Sequence, residues 1–222
     1  MGQPSLTSRT PDIGPASGER GAEVLPWRPR MTPDTTAVDL QAAEAAAAAL
    51  LVALGQDLDS VHVADTPRRM AAAYAELLTV EPFDFTTFPN SEGYDELVLV
   101  EDIPVRSVCE HHMLPFVGVA HVGYLPADRV LGLSKLARVV DFYSHRPQTQ
   151  ERLTQQVAEH LQTHLCPRGA GVVIEAEHTC MTLRGVRATG TRTVTSALLG
   201  RLRTDAASRA EFLGLTRDRR TR

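Results

Sequence analysis

Two short strings of cysteine and histidine constrain this chain most, because one shared metal ion would force distant parts of it to meet. They are Cys109-Glu110-His111-His112 and His178-Thr179-Cys180. Cys109 and His112 are close enough along the chain for a tight turn or one helical turn to aim both at one ion. His178 and Cys180 have the spacing that places two side chains on one face of a strand. Thiolate and imidazole together favour zinc.

The number of ligands decides what such a zinc site does. Three protein ligands leave a fourth position for water, which is the catalytic arrangement, whereas four protein ligands make a closed structural site. The two strings offer four candidates, so spacing alone leaves two interpretations open. One is a catalytic centre, and the other is a non-catalytic Cys2His2 site that His178 completes.

The composition is that of a globular protein with one folded domain and a tail. The chain has 222 residues, of which 43% are hydrophobic and 23% charged, enough for one sizeable core. The apolar runs are too short to cross a bilayer and the N-terminus does not resemble a signal peptide, so we expect a cytoplasmic location. The net charge of −4 disfavours nucleic-acid binding, so an anion has to be held locally.

Helix signals precede the strand signals along the chain. Residues 1–35 are rich in Pro, Gly, Ser, Thr and Arg without a hydrophobic period, which predicts a disordered tail. The segment 36–80 is predicted to hold two helices, Val38–Leu54 closed by Gly55, and Thr66–Leu78 with Pro67 in its first turn. We expect residues 81–222, which hold both Cys/His strings, to form the main domain.

Pairs of strands and pairs of helices alternate in the segment 81–222. Runs of β-branched residues predict strands at 96–108 and 116–125, with the Cys109–His112 string between them, and at 171–176 and 191–199. Apolar spacing predicts helices at 133–143 and 148–165, the second started by Pro147, and a short helix at 205–212. Because the strands come in adjacent pairs, this order favours an α+β fold, an antiparallel sheet covered on one face by helices.

Four strings in this chain match a known family in order and spacing. They are Cys109–His112 followed by Leu114–Phe116, then Gly132–Arg138, Arg146–Thr154 and His178–Val186. Together they resemble zinc-dependent GTP cyclohydrolase I. The resemblance implies the tunnelling fold (T-fold) and a homodecamer with active sites shared between subunits. It also implies opening of the guanine imidazole ring of GTP, release of formate and reclosure to 7,8-dihydroneopterin triphosphate.

The resemblance assigns roles to the residues of the two Cys/His strings. It implies that Cys109, His112 and Cys180 bind Zn²⁺ and leave the fourth position to water, whose pKa falls to about 7 on zinc. His178 matches the residue that protonates N7 of the purine. His111 matches a residue with a supporting role in proton transfer.

The substrate-binding positions also come from the resemblance. Glu151 matches the carboxylate that accepts from N1–H and the 2-amino group of guanine, and Gln150 is expected near the purine. The other matches contact the rest of GTP: Ser134 the ribose part, and Lys135, Arg138, Arg184 and Arg69 the triphosphate, Arg69 from a neighbouring subunit. Lys135 is the only lysine in the chain. Ala72 stands where some family members carry another basic residue, which predicts weaker triphosphate binding.

A third interpretation is a relative on the same fold that reduces a nitrile on a deazapurine. Such an enzyme uses a cysteine nucleophile and no metal. Two thiolates set with a histidine around one ion argue against it.

Overall fold

The computed structural model describes residues 30–31 and 37–217, and it contains nine strands and seven helices within them. The strands are β1 (Arg30–Met31), β2 (Phe83–Asp84), β3 (Thr87–Pro89), β4 (Val98–Cys109), β5 (Pro115–Leu125), β6 (Arg129–Leu131), β7 (Pro147–Gln148), β8 (Gly169–His178) and β9 (Thr193–Gly200). The helices are α1 (Leu40–Ala53), α2 (Thr66–Leu78), α3 (Ser134–Ser144), α4 (Gln150–His164), α5 (Thr179–Thr182), α6 (Arg201–Thr204) and α7 (Ala206–Arg217).

The predicted disordered tail, residues 1–35, lies outside the described residues except for β1. Arg30 and Met31 pair antiparallel with Asp84 and Phe83 of β2. This pair of residues therefore departs from the expectation for the tail. The division of the chain after residues 35 and 80 stays a prediction.

Five strands form the central sheet, in the order β7-β4-β5-β8-β9. Neighbours are antiparallel except β7, which runs parallel to β4. The pairing of β5 with β8 runs from Phe116 opposite His178 to Leu125 opposite Gly169. Gly118 is required by this pairing, because a Cβ there would lie 2.0 Å from the carbonyl oxygen of Glu175. The register brings the end of β8 to the start of β5, and so the second Cys/His string beside the first.

Helices α3 and α4 cover one face of this sheet and enclose the main core. On α4 the buried residues Leu153, Val157 and Leu161 recur at helical spacing. Val172 and Ile174 belong to the same cluster because alternate residues of β8 point to one face. This arrangement confirms the predicted α+β fold with helices on one face of an antiparallel sheet.

A smaller apolar cluster involves the C-terminal helices and was not predicted. Val173 of β8 packs with Leu198, Leu202 and Phe212 rather than with the main core. Phe212 is fully buried and holds α7 in place. The helix α7 ends at Arg217, beyond the predicted end at residue 212.

Two helices precede the sheet, as predicted. The helix α1 begins after Asp39, whose carboxylate accepts a hydrogen bond from the backbone N–H of Ala42 at 2.9 Å. The helix α2 carries Pro67 in its first turn, where the missing N–H costs nothing. Leu50 and Val52 remain exposed on α1, so this helix keeps apolar surface that the described residues do not cover.

The start of α4 differs from the prediction. Pro147 and Gln148 form β7, and the helix begins only at Gln150. The hydroxyl of Thr149 caps the helix by accepting from the backbone N–H of Arg152 at 3.3 Å. The fixed φ of proline suits an extended segment as well as a first helical turn, so the threonine cap decides where the helix begins.

Candidate metal centre and active site

Cys109, His112 and Cys180 converge at one end of the sheet. Their ligand atoms all lie within 4.8 Å of one another, and both cysteines are buried while His112 is exposed. This is the one group of three potential metal ligands found among residues 30–31 and 37–217. His178 does not belong to the group. The three residues could therefore hold an ion between them.

A closed turn after β4 places Cys109 and His112. The backbone N–H of Met113 donates to the carbonyl of Cys109 at 2.8 Å, and Met113 adopts a positive φ of 54°. The hydroxyl of Tyr74 on α2 donates to the carbonyl of Met113 at 2.9 Å. Sγ of Cys109 lies 3.8 Å from Nδ1 of His112 and 3.7 Å from Nδ1 of His111. The turn therefore brings both histidines close to the thiol, of which the spacing had predicted His112.

His178 and Cys180 do not share a strand face, which corrects the expectation from their spacing. His178 is the last residue of β8, and Thr179–Thr182 form the helical turn α5. The hydroxyl of Thr179 donates to the carbonyl of Pro115 at 2.6 Å, which ties this turn to the start of β5. The change from strand to helix rotates Cys180 away from His178, because side chains alternate only while the backbone stays extended.

His178 is held by two neighbours. Its ring stacks on Phe116, with centroids 4.6 Å apart and planes 10° apart, because the two residues are directly opposite in the β5–β8 pairing. Its Nε2 lies 2.8 Å from Oε1 of Gln150. Burial lowers the pKa of His178, while the negative charge of Glu151 opposes this shift. The ring is thus fixed by Phe116 and Gln150, and burial favours its neutral form.

The side chain of Gln150 is buried and fully engaged in hydrogen bonds. Its two Nε2 hydrogens face three acceptors, the carbonyls of Ile174 and Thr193, each at 3.0 Å, and the hydroxyl oxygen of Thr195 at 3.1 Å. Oε1 therefore has to face His178, which makes Nε2 of His178 the donor in that bond. Gln150 was expected near the purine. That expectation stays a prediction; in the structure its carboxamide contacts His178 and the strands β8 and β9.

Glu151 lies in the first turn of α4 with an exposed side chain. Its carboxylate makes no hydrogen bond with the described part of the chain, so both oxygens can accept from a ligand. Its negative charge raises the pKa of His178 and so opposes the effect of burial.

The donor set fits a zinc ion. Burial and the neighbouring charge of Cys109 both raise the pKa of Cys180. Two thiolates this close repel each other, so the pair resists losing both protons without a cation between them. A divalent cation reverses that effect, and two thiolates with one imidazole are ligands that zinc accepts.

The basic residues predicted to bind phosphate lie on three different segments. Ser134, Lys135 and Arg138 belong to the first turns of α3, and neither Lys135 nor Arg138 forms a hydrogen bond or ion pair through its side chain with the described residues. Arg184 follows α5 and is exposed; its Nη1 donates to the carbonyl of Cys180 at 3.4 Å. The structure thus brings Arg184 close to the metal ligands, while α3 carries Lys135 and Arg138.

Arg69 makes no contact with the metal ligands within the described residues. It lies on α2, and its Nη2 donates to the carboxylate of Asp65 at 3.2 Å, as does that of Arg68. Ala72 is exposed on the same helix.

Sequence analysis missed several residues that contact the site. Phe116 stacks on His178, and Thr154 and Thr195 pair their hydroxyls at 2.6 Å beneath Gln150. Glu110 forms an ion pair with Arg152. Glu110 lies in the first Cys/His string and Arg152 is the third residue of α4, so opposite charges on two site segments were the available signal.

Comparison with known proteins identifies the family. A family model described as GTP cyclohydrolase I matches residues 43–217. The chain belongs to the GTP cyclohydrolase I family. Curated relatives named GTP cyclohydrolase 1 include that of Mycolicibacterium gilvum, 54% identical over 83% of this chain and 92% of the relative, and that of Mycobacterium leprae, 56% identical over 80% and 89%. The relative from Streptomyces griseus is 54% identical over 81% of this chain and 91% of its own length.

Membership of the GTP cyclohydrolase I family confirms the predicted family, T-fold and enzyme class. Among solved structures, the archaeosine synthase QueF-Like in the apo form aligns with 47% of this chain and 93% of its own chain, at 21% identity and a TM-score of 0.40. Across the described residues, no helix combines the length and apolar character that crossing a bilayer requires. The cytoplasmic location stays a prediction.

Proposed function

We propose that this chain is a GTP cyclohydrolase I that opens the guanine imidazole ring of GTP, releases formate and recloses the product to 7,8-dihydroneopterin triphosphate. We further propose that Cys109, His112 and Cys180 bind Zn²⁺. One observation carries the proposal: these three ligand atoms cluster within 4.8 Å, whereas His178 lies outside the cluster and bonds to Gln150. A zinc site built this way keeps one position open, as a catalytic site requires.

Zn²⁺, when bound, supplies a water of lowered pKa for attack on C8 of guanine. His178 acts on the purine as proton donor and acceptor. Its Nε2 keeps a proton in the hydrogen bond to Gln150, so Nδ1 is the ring atom that exchanges a proton with N7. The neutral state favoured by burial lets it take up a proton first, and the nearby Glu151 stabilises the resulting cation. His111 beside Cys109 assists proton transfer.

Glu151 recognises guanine in this proposal. Its carboxylate, which makes no hydrogen bond within the described residues, accepts from N1–H and the 2-amino group, which lie side by side as donors. Gln150 fixes His178 and thereby positions the proton donor rather than contacting the base. Its buried carboxamide, with one bond to His178 and three to acceptors, supports that assignment.

The triphosphate is held by cations from several segments. Lys135 and Arg138 lie three residues apart on α3 and project to one side of the helix. Arg184 adds a guanidinium beside Cys180, and Ser134 contacts the ribose part. Arg69 reaches the phosphates of a neighbouring subunit's site, for which it has to leave Asp65.

A homodecamer is part of the proposal because Arg69 has to act across a subunit boundary. Two features support assembly through copies of this chain. The strand β9 is at the edge of the sheet with Val194 54% exposed, and α1 exposes Leu50 and Val52. Light scattering measures the assembled mass, and a monomeric mass would contradict the shared site.

The decisive experiment replaces His178 by alanine in zinc-loaded protein supplied with GTP. We expect retained Zn²⁺ and loss of about 10² to 10⁴ in turnover, because general acid–base catalysis contributes that much. Formate and a pterin that fluoresces after oxidation report turnover, and metal analysis reports Zn²⁺. The matched control is His62→Ala, at an exposed histidine far along the chain from both strings.

The outcomes separate the alternatives. Loss of zinc from His178→Ala would favour the closed Cys2His2 site. Wild-type protein that yields neither formate nor pterin would end the proposed activity. Purified wild-type protein without zinc would remove the metal from the mechanism.

A further inference from the structure

The turn that carries Cys109 and His112 is attached to the start of α4. The backbone N–H of Glu110 donates to the carbonyl of Gln148 at 3.0 Å. Residues Val108 and Cys109 also pair in parallel with Pro147 and Gln148 of β7. Two of the three proposed metal ligands therefore lie on a segment whose position depends on β7.

The guanidinium of Arg152 joins this turn to the helix through three acceptors. Its Nη2 donates to Oε2 of Glu110 and to the carbonyl of Pro147 at 3.0 Å. Its Nε donates to Oε1 of Gln148 at 2.8 Å. A planar fork with fixed donor directions can satisfy all three acceptors at once, whereas the single ammonium of lysine cannot reproduce this geometry.

The buried side chain of Gln148 fixes the position of the Arg152 guanidinium. It is fully buried, and its Nε2 donates to the carbonyl of Tyr143 and to Oε1 of Gln156, each at 2.8 Å. Both donors of the amide are used, so Oε1 has to face Arg152. The guanidinium is therefore fixed at one end by a buried group and holds Glu110 at the other.

We propose that Arg152 and Glu110 form a clamp that positions the Cys109–His112 turn for metal binding. Arg152 is a positioning residue in this proposal, because its side chain bonds to Glu110, Pro147 and Gln148 and not to the proposed ligand atoms. The inference rests on the proposed zinc site. Breaking the clamp is expected to weaken metal binding. The two ligands on the turn have to be ordered before they can share an ion with Cys180.

The test measures Zn²⁺ affinity by competition with a chromophoric chelator in full-length Arg152→Met, Glu110→Gln and the double variant. Outer contacts that orient metal ligands are worth about 10- to 100-fold in affinity. We expect Arg152→Met to weaken binding about tenfold or more. The double variant should bind as weakly as Arg152→Met alone, because each single change already breaks the same pair. Arg152→Lys should fall between wild type and Arg152→Met.

The matched control is Arg168→Met, at the opposite end of β8 from His178. Arg168 has similar exposure and also joins backbone carbonyls to a carboxylate, since it donates to Pro126 at 2.7 Å and to Asp95 at 2.9 Å and lies near the Asp95 carboxylate. Thermal unfolding of the metal-free proteins is measured alongside. We expect Arg168→Met to lose stability without losing Zn²⁺ affinity, which separates general destabilisation from positioning.

Two results would overturn the clamp. One is wild-type Zn²⁺ affinity in both Arg152→Met and Arg152→Lys, and the other is independent, additive losses in the double variant. Wild-type protein that binds no Zn²⁺ would instead overturn the proposed metal site on which the clamp depends.

Discussion

Replacement of Gln150 by methionine tests how the proposed proton donor is held. The side chain of Gln150 is 1% exposed. Its two N–H hydrogens face three acceptors, on Ile174, Thr193 and Thr195, and its oxygen accepts from His178, at distances between 2.8 and 3.1 Å. Methionine has a similar length and packs in apolar surroundings, so the change removes these hydrogen bonds with little change in volume.

The expected effects on stability and on turnover differ in size. Each hydrogen bond contributes about 0.5 to 1.5 kcal/mol net, so the two N–H donors and the one acceptor oxygen together predict a loss of about 3 kcal/mol in unfolding free energy. Only the bond to His178 bears on the chemistry. At most about 1.4 kcal/mol of transition-state stabilisation is at stake, which corresponds to about a tenfold lower kcat. His178→Ala, which removes the imidazole itself, should lose far more.

The assay compares kcat for formate release with unfolding in denaturant, at a temperature where every variant is folded. Gln155→Met is the matched control, because Gln155 lies on the same helix with an exposed side chain that donates to Glu159 at 2.8 Å. We expect wild-type values for both quantities in that control. A Gln150→Met protein that loses stability but keeps wild-type kcat would refute the positioning role. Unchanged stability would refute the hydrogen-bond arrangement itself.

Four further predictions concern the metal, the phosphates, the sheet and pH. Cys180→Ala should abolish both zinc content and formate release, and retained zinc would contradict the ligand assignment. Lys135→Met should raise the KM for GTP about 5- to 150-fold, because the contact with phosphate is worth about 1 to 3 kcal/mol. Inhibition by guanosine, which has no phosphate, should stay unchanged. Equal weakening of GTP and guanosine binding would refute a phosphate contact. Gly118→Ala should cost about 1 to 3 kcal/mol of stability, because its Cβ would lie 2.6 Å from Cα of Ala176. Gly214→Ala on α7 has open space around the added Cβ and should be neutral or stabilising. Denaturant unfolding measures both variants. Burial lowers the pKa of His160 to about 3, against about 6.5 in the unfolded chain. The stability that the neutral ring contributes is therefore fully present above pH 6.5. As the pH falls from 6.5 towards 3, the free energy of unfolding decreases by about 1.4 kcal/mol per pH unit. Unfolding free energies of wild type and His160→Gln between pH 7 and pH 5 should therefore diverge by about 2 kcal/mol, and parallel curves would refute the burial of a neutral ring.

Local signals predicted most of the secondary structure. The helix α2 was bounded correctly at both ends, because Thr66 and Pro67 specify a first turn whatever the rest of the chain does. Long β-branched runs likewise predicted β4 and β5 to within two residues at each end. These elements depend on residues adjacent in sequence, so sequence patterns suffice.

The errors lie where distant contacts decide the local conformation. Pro147 stays extended because it pairs with Val108 of β4, a partner that the spacing of apolar residues along α4 cannot reveal. Cys180 leaves the strand because Thr179 is bound to Pro115 at the start of β5. In both places a short segment follows tertiary hydrogen bonds rather than its own propensity.

The candidate site divides in the same way. The residues with distinctive chemistry, the cysteines and histidines of the two strings, were found from their types and spacing. The residues that orient them were not, because glutamine, threonine and arginine are common on helix surfaces. Gln150 was predicted to contact the substrate, and only the positions of Ile174, Thr193 and Thr195 reveal that its amide is already used.

The geometry of the site depends on the strand between the two Cys/His strings. The turn with Cys109 leads into β5, and Thr179, next to Cys180, is bonded to Pro115 at the start of that strand. Phe116, one residue further, lies opposite His178. A slip of one residue between β5 and β8 would turn each paired side chain to the other face. It would remove the stacking on His178 and shift Cys180 relative to Cys109 together, so the register of this one strand pair sets both the metal cluster and the proton donor.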